Sequence, residues 1–116
     1  MNLKRVVVTG IGAVTPLGNN APETWENVKN GVSGAGPITK FDASLFKTHF
    51  ACEVKNFDPK QYIDRKAVNK MDLYTQYAMV SAMEAVKDSG MDLDQVNKER
   101  IGVIYGVGIG GINTFE

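Results

Sequence analysis

The chain has 116 residues, with 13 Lys plus Arg against 13 Asp plus Glu and a formal net charge of zero. That length suits one domain, and the balanced charge excludes a general nucleic-acid binder, which needs a basic excess to neutralise phosphates. Hydrophobic residues at 43% and charged residues at 22% are ordinary globular values, while one Cys and one His can make neither an internal disulfide nor a four-ligand zinc site. No stretch approaches the roughly 20 apolar residues of a membrane-spanning helix. Lys4-Arg5 ahead of Val6-Val7-Val8 imitates a signal peptide, but Thr9, Gly10, Gly12 and Thr15 dilute the apolar run and Pro16 ends it. The expected location is cytoplasmic.

In chain order, Val6 to Val8 is a β-branched run without alternation, which predicts a strand covered on both faces. It continues through Thr9 and Ile11, with Gly10 and Gly12 where a close neighbour leaves no room for a side chain. Pro16, Gly18, Asn19 and Asn20 form a loop. A short helix follows, with Asn20 as cap, Pro22 in its first turn, Glu23 placed as in a capping box, and Gly31 at its stop. Trp25 and Val28, three apart, supply its buried edge. Gly31, Gly34, Gly36 and Pro37 make another loop. Phe50, Cys52 and Val54 then alternate with Ala51, Glu53 and Lys55, the pattern of a half-exposed strand that Asp58-Pro59 ends.

From about Asp64 to Ser89 the sequence predicts one long helix, capped by Asp64 and closed by Gly90. Leu73 to Met83 carries no charge. Met71, Tyr74, Ala78, Ala82 and Ala85 form one stripe, and Leu73, Tyr77 and Val80 form another. Such a helix needs cover over most of its circumference, and the chain offers little else to cover it. A polar linker, Asp92 to Arg100, leads to a last strand over Ile101 to Tyr105. Glycines then crowd in at Gly102, Gly106, Gly108, Gly110 and Gly111. The order strand, helix, strand, long helix, strand indicates an α/β layered fold. The sequence stops at Glu116 with nothing to close the last strand, which reads as the N-terminal part of something larger.

Few residues carry chemistry by themselves. Gly106, Gly108 and Gly111 have the spacing of a dinucleotide fingerprint, but no following helix or downstream acid accompanies them. His49 and Cys52 are separated by three on a predicted strand, so their side chains point to opposite faces, and they read as a surface His and a structural Cys. Asp92 and Asp94 read as solvated loop residues. Lys60, Arg65, Lys66 and Lys70 surround a single acid, Asp64, at a helix start, where cations are disfavoured; they read either as a solvated helix start or as a surface for an acidic partner.

Several segments together resemble one family. VVVTGIGAVTPLGNN and TWENVKNGVSG are similar to the opening of the 3-oxoacyl-(acyl-carrier-protein) synthases. ITKFDASLFKTHFACEVKNFDP, DRKAVNKMDLYTQYAMVSAMEAVKDSG and RIGVIYGVGIGGINTFE resemble that family's next three segments, in order and in register. The likeness is closest to the elongating members of dissociated bacterial fatty acid synthesis. It implies a thiolase-like layered α/β fold, with residues 1–116 as the N-terminal portion of the first half of an incomplete synthase domain. The partners implied are acyl carrier protein, in its acyl and malonyl forms, and a second copy in a homodimer. No cofactor, metal, nucleic acid or membrane is implied.

The reaction that the resemblance implies is a decarboxylative Claisen condensation. A cysteine takes the acyl chain, a malonyl-carrier thioester loses carbon dioxide to give a carbanion, and two histidines assist as the two are joined. The family's cysteine and histidines match no position here, so no catalytic residue carries over, and the 116 residues alone are expected to be inactive. The carrier-docking residues of the family match Lys66 and Lys70, with Asn69 at a third position that is basic in relatives. Ile109 matches an isoleucine lining the acyl pocket. Three alternatives stand beside this reading: a non-condensing relative of the same fold, a nonenzymatic interaction or oligomerisation module, and a nucleotide-binding α/β module.

Overall fold

The computed structural model describes residues 3–115, apart from the side chains of Asn113 and Phe115. It falls into two compact units: Ala13–Asp58, and the residues up to Gly12 together with those from Pro59 onward.

In the Ala13–Asp58 unit, helix α1 (Ala21–Lys29) forms as the sequence predicts. The Asn20 side chain accepts from Glu23 N at 2.8 Å, and the Glu23 carboxylate accepts from Asn19 N at 2.9 Å. At the other end Gly31 takes φ +66, which lets Gly31 N reach Val28 O and Val32 N reach Asn27 O. Those are the two crossed bonds that close a helix through a left-handed glycine. The predicted apolar edge is not buried: Trp25 is 62% exposed and Val28 48%. The inner side of α1 is polar instead. Asn27 Nδ2 donates to Leu17 O at 2.6 Å, and the Thr24 hydroxyl lies 3.0 Å from that of Thr15. The Asn27 bond satisfies a backbone carbonyl of the Thr15–Gly18 turn, which an apolar residue could not do.

Strands β1 (Gly36–Pro37) and β2 (Phe50–Ala51) pair antiparallel, Gly36 opposite Ala51 and Pro37 opposite Phe50. Ile38 N donates to His49 O at 3.1 Å just beyond the ladder. The strand predicted over Phe50–Val54 is thus only two residues long. Phe50 and Cys52 are exposed, and Ala51 and Glu53 are half-buried. Val54 keeps the half-buried state that the alternation predicts, and the Glu53 carboxylate accepts at the surface from Thr39 N at 3.1 Å and from the Thr39 hydroxyl at 2.6 Å.

In the second unit the predicted long helix is two helices, α2 (Arg65–Val68) and α3 (Leu73–Asp88). Asp64 caps α2 by accepting from Lys66 N at 2.8 Å. At the break, Gln76 Nε2 donates to Val68 O and Met71 O, at 3.3 and 2.9 Å, and so satisfies carbonyls that a continuous helix would have paired. Gly90 ends α3 at φ +64 as expected. Gly10 and Gly12 lie against α3. A Cβ on Gly12 would run into Ser81 O and stand 2.8 Å from Ala85 N, and one on Gly10 would run into Ala85 O and stand 2.6 Å from Ser89 N. Ile11 N between them donates to the Asp88 carboxylate at 2.9 Å.

The segments predicted as strands at Val6–Ile11 and Ile101–Tyr105 join no ladder among the described residues. A strand is a relation between two segments, and neither of these meets a partner here. Their side chains are correspondingly open: Val6 is 92% exposed and Ile104 98%. The buried apolar core among the described residues is Ile63, Val68 and Val80.

Candidate functional site

The two docking candidates lie on different elements. Lys66 is in α2, whereas Lys70 is in the turn after it, where Lys70 N donates to Ala67 O. The single helix predicted from Asp64 to Ser89 would have carried both lysines; instead α2 ends at Val68, between them. Both are exposed, and neither ammonium is in an ion pair among the described residues. Asp64, the one acid within the basic stretch, has its carboxylate turned onto the α2 backbone. Lys70 thus follows the C-terminal end of α2 and lies outside any helix.

Ile109 is 88% exposed in the glycine-rich segment. That segment comes back to the start of α3. A Cβ on Gly110 would stand 2.8 Å from Tyr74 Cδ1, and one on Gly111, which has φ +71, would stand 2.8 Å from Asp72 Oδ2. After Gly111 comes α4 (Ile112–Phe115), a single turn absent from the sequence reading. Thr114 of that turn donates its hydroxyl to the Asp72 carboxylate, 2.7 Å from each oxygen. Gly106 and Gly108, by contrast, have nothing within 4 Å of the space a side chain would take. The glycines at 110 and 111 thus serve close approaches to α3.

The residues set aside in the sequence stay set aside. His49 is exposed and its backbone carbonyl accepts from Ile38 N just after β1; Cys52 is exposed as well, so it is not the packed structural Cys expected. Asp92 accepts from Asp94 N at 2.9 Å and Asp94 lies 3.7 Å from Lys98, the surface loop that was expected. Besides α4, the Asp72–Thr114 bond and the Gln76 bridge have no counterpart among the expectations from sequence. The usable signal was Asp72 itself, a second N-cap residue directly ahead of the uncharged run that begins at Leu73.

Residues 3–116 match the family described as beta-ketoacyl synthase, N-terminal domain. The chain is 50% identical over 113 residues to 3-oxoacyl-[acyl-carrier-protein] synthase 2 of Staphylococcus aureus (strain COL), covering 97% of this chain and 27% of that protein. It is 47% identical over 116 residues to the synthase 2 of Coxiella burnetii (strain RSA 493 / Nine Mile phase I), covering 100% and 28%. Among solved structures it is similar to the ishigamide ketosynthase/chain length factor, with a TM-score of 0.69 and 37% identity over 78% of this chain and 22% of that one. The chain therefore spans about a quarter of the length of the curated relatives it matches. The α/β thiolase-like fold class expected from the resemblance is borne out by these matches. Matched along nearly its whole length, the chain belongs to the beta-ketoacyl synthase family, N-terminal domain.

Proposed function

We infer that residues 1–116 are the N-terminal portion of a condensing enzyme that joins an acyl-enzyme thioester to malonyl-carrier with loss of carbon dioxide. The supporting observation is identity at the 50% level to proteins named 3-oxoacyl-[acyl-carrier-protein] synthase 2 across 97% of this chain. In this reading the bond between C2 of the malonyl group and its carboxylate breaks and carbon dioxide leaves. The electron pair left on C2 attacks the acyl thioester carbonyl, and the enzyme's thiolate departs. Lys66 and Lys70 contribute docking for the acidic carrier. Their exposure, and the engagement of Asp64 with the backbone, support this role, because the positive field is left facing solvent. Ile109 lines the path of the acyl chain, and its exposure between glycines leaves it accessible to a ligand.

The test is release of carbon dioxide from malonyl-carrier by acyl-primed protein. The complete protein bearing this segment is expected to turn over, and the 116-residue chain to stay at the no-enzyme background. Decarboxylation without condensation by the complete protein would favour a non-condensing relative, and absence of both would overturn the reading.

A further inference from the structure

Asp72 stands at the N-cap of α3, with φ −62 and ψ 155, and its carbonyl accepts from Thr75 N and Gln76 N. An aspartate there ordinarily turns its carboxylate onto the N–H groups of the first turn, as Asn20 does with its amide oxygen in α1 and Asp64 does in α2. Asp72 makes no such bond. Its carboxylate accepts instead from the Thr114 hydroxyl, 42 residues away in sequence. A hydroxyl donating to a carboxylate is a charge-assisted bond, stronger than a neutral pair. Two glycines make the approach possible. A Cβ on Gly111, which has φ +71, would stand 2.8 Å from Asp72 Oδ2, and one on Gly110 would stand 2.8 Å from the Tyr74 ring, so a side chain at either place would press on the clamp. The turn following Ile109 is thereby fastened to the residue two places beyond Lys70.

We propose that Asp72 is a positioning residue: it gives up its helix cap to hold the glycine turn after Ile109, through Thr114, at a fixed place beside the basic turn that carries Lys70. The inference rests on the condensing-enzyme reading, since it assigns Ile109 to the acyl path and Lys70 to carrier docking. With the clamp closed, the acyl-lining segment is ordered before substrate arrives, so less conformational freedom is lost on binding. With the clamp open, the segment must be ordered by the acyl chain itself, which weakens acyl binding and leaves the chemical step unchanged.

The experiment uses the complete protein as wild type, Thr114→Val, Thr114→Ser, Asp72→Ala and the double variant Asp72→Ala/Thr114→Val. Amide hydrogen exchange over residues 106–112 is read beside kcat and KM for acyl primers. Thr114→Val is expected to speed exchange there roughly fivefold, as loss of one hydrogen bond does. It should also raise KM for the primer with kcat little changed, and Thr114→Ser should restore both. The double variant should be no worse than the worse single variant, the signature of one shared interaction. Exchange and KM unchanged in Thr114→Val, or additive losses in the double variant, would overturn the clamp. So would an equal fall of kcat and of protection throughout α3, which marks a merely structural bond. If the wild type does not condense, the functional reading fails by itself, and the exchange and additivity results still decide whether the clamp exists.

Discussion

Gly12 sits where a single methyl group has no place to go. Its added Cβ would meet the Ser81 carbonyl and the Ala85 amide, both backbone atoms of a helix that cannot swing aside as a long side chain could. Overpacking of this kind costs typically about 1–3 kcal/mol. Gly36 is the natural control, because a side chain there meets nothing within 4 Å. Gly12→Ala should therefore lower the urea midpoint of the chain clearly, and Gly36→Ala should leave it nearly unchanged. Equal midpoints would show that Gly12 does not lie against α3. This close approach was legible from sequence, since glycines interrupting a β-branched run signal a near neighbour. The identity of the neighbour was not, because no pattern local to residues 6–12 points to residues 81–89.

The elements divide along the same line. Helix α1 was readable because its caps are local: Asn20, Glu23 and Gly31 act within a few residues of the bonds they complete. The division of the long helix was not readable from periodicity, since the apolar pattern runs on past the break while the Gln76 side chain satisfies the carbonyls there. A polar contact outside its ladder, Glu53 with Thr39, also joins the arms of the β1–β2 hairpin. The Thr39 hydroxyl first, and the Thr39 amide second, hold the Glu53 carboxyl below its ordinary pKa. A carboxylate depressed in the folded state adds stability that is present above its unfolded pKa and lost as pH falls through the folded value. Protection of the Ile38 amide, bonded to His49 O, should thus be constant near neutrality and fall at acid pH below the ordinary glutamate range. In Glu53→Gln that acid-side loss should be absent. An identical pH profile in the variant would mean that Glu53 does not fasten the hairpin.

For the whole molecule the deciding fact is how little is covered. Among the described residues the buried apolar side chains are Ile63, Val68 and Val80, while Met79, Met83, Val86, Met91 and Leu93 line an open groove of about 410 Å³ along α3. A helix that the sequence marks as needing cover on several sides has it on few, and open apolar area of this kind favours association. The isolated chain should therefore self-associate in a concentration-dependent way in light scattering. A monomer at all concentrations would contradict that. The fold class could be read because four segments of the sequence resemble one family in register, a resemblance that does not depend on seeing the strands paired. The ladders of Val6–Ile11 and Ile101–Tyr105 could not be anticipated as missing, since β-branched runs predict strands whether or not a partner is at hand.

Carrier docking would rest on two lysine ammonium groups, Lys66 in α2 and Lys70 in the turn after it. Exposed charge pairs contribute roughly 0–1 kcal/mol each, so the effect belongs to encounter and orientation. The most direct measurement compares kcat/KM of the complete protein and its Lys66→Glu/Lys70→Glu variant on carrier-bound substrates and on the corresponding coenzyme A thioesters. The expected result is a marked loss with carrier-bound substrates, a much smaller one with coenzyme A thioesters, and a wild-type carrier preference that declines as salt is raised. Equal impairment of both substrate classes, or of neither, would contradict it.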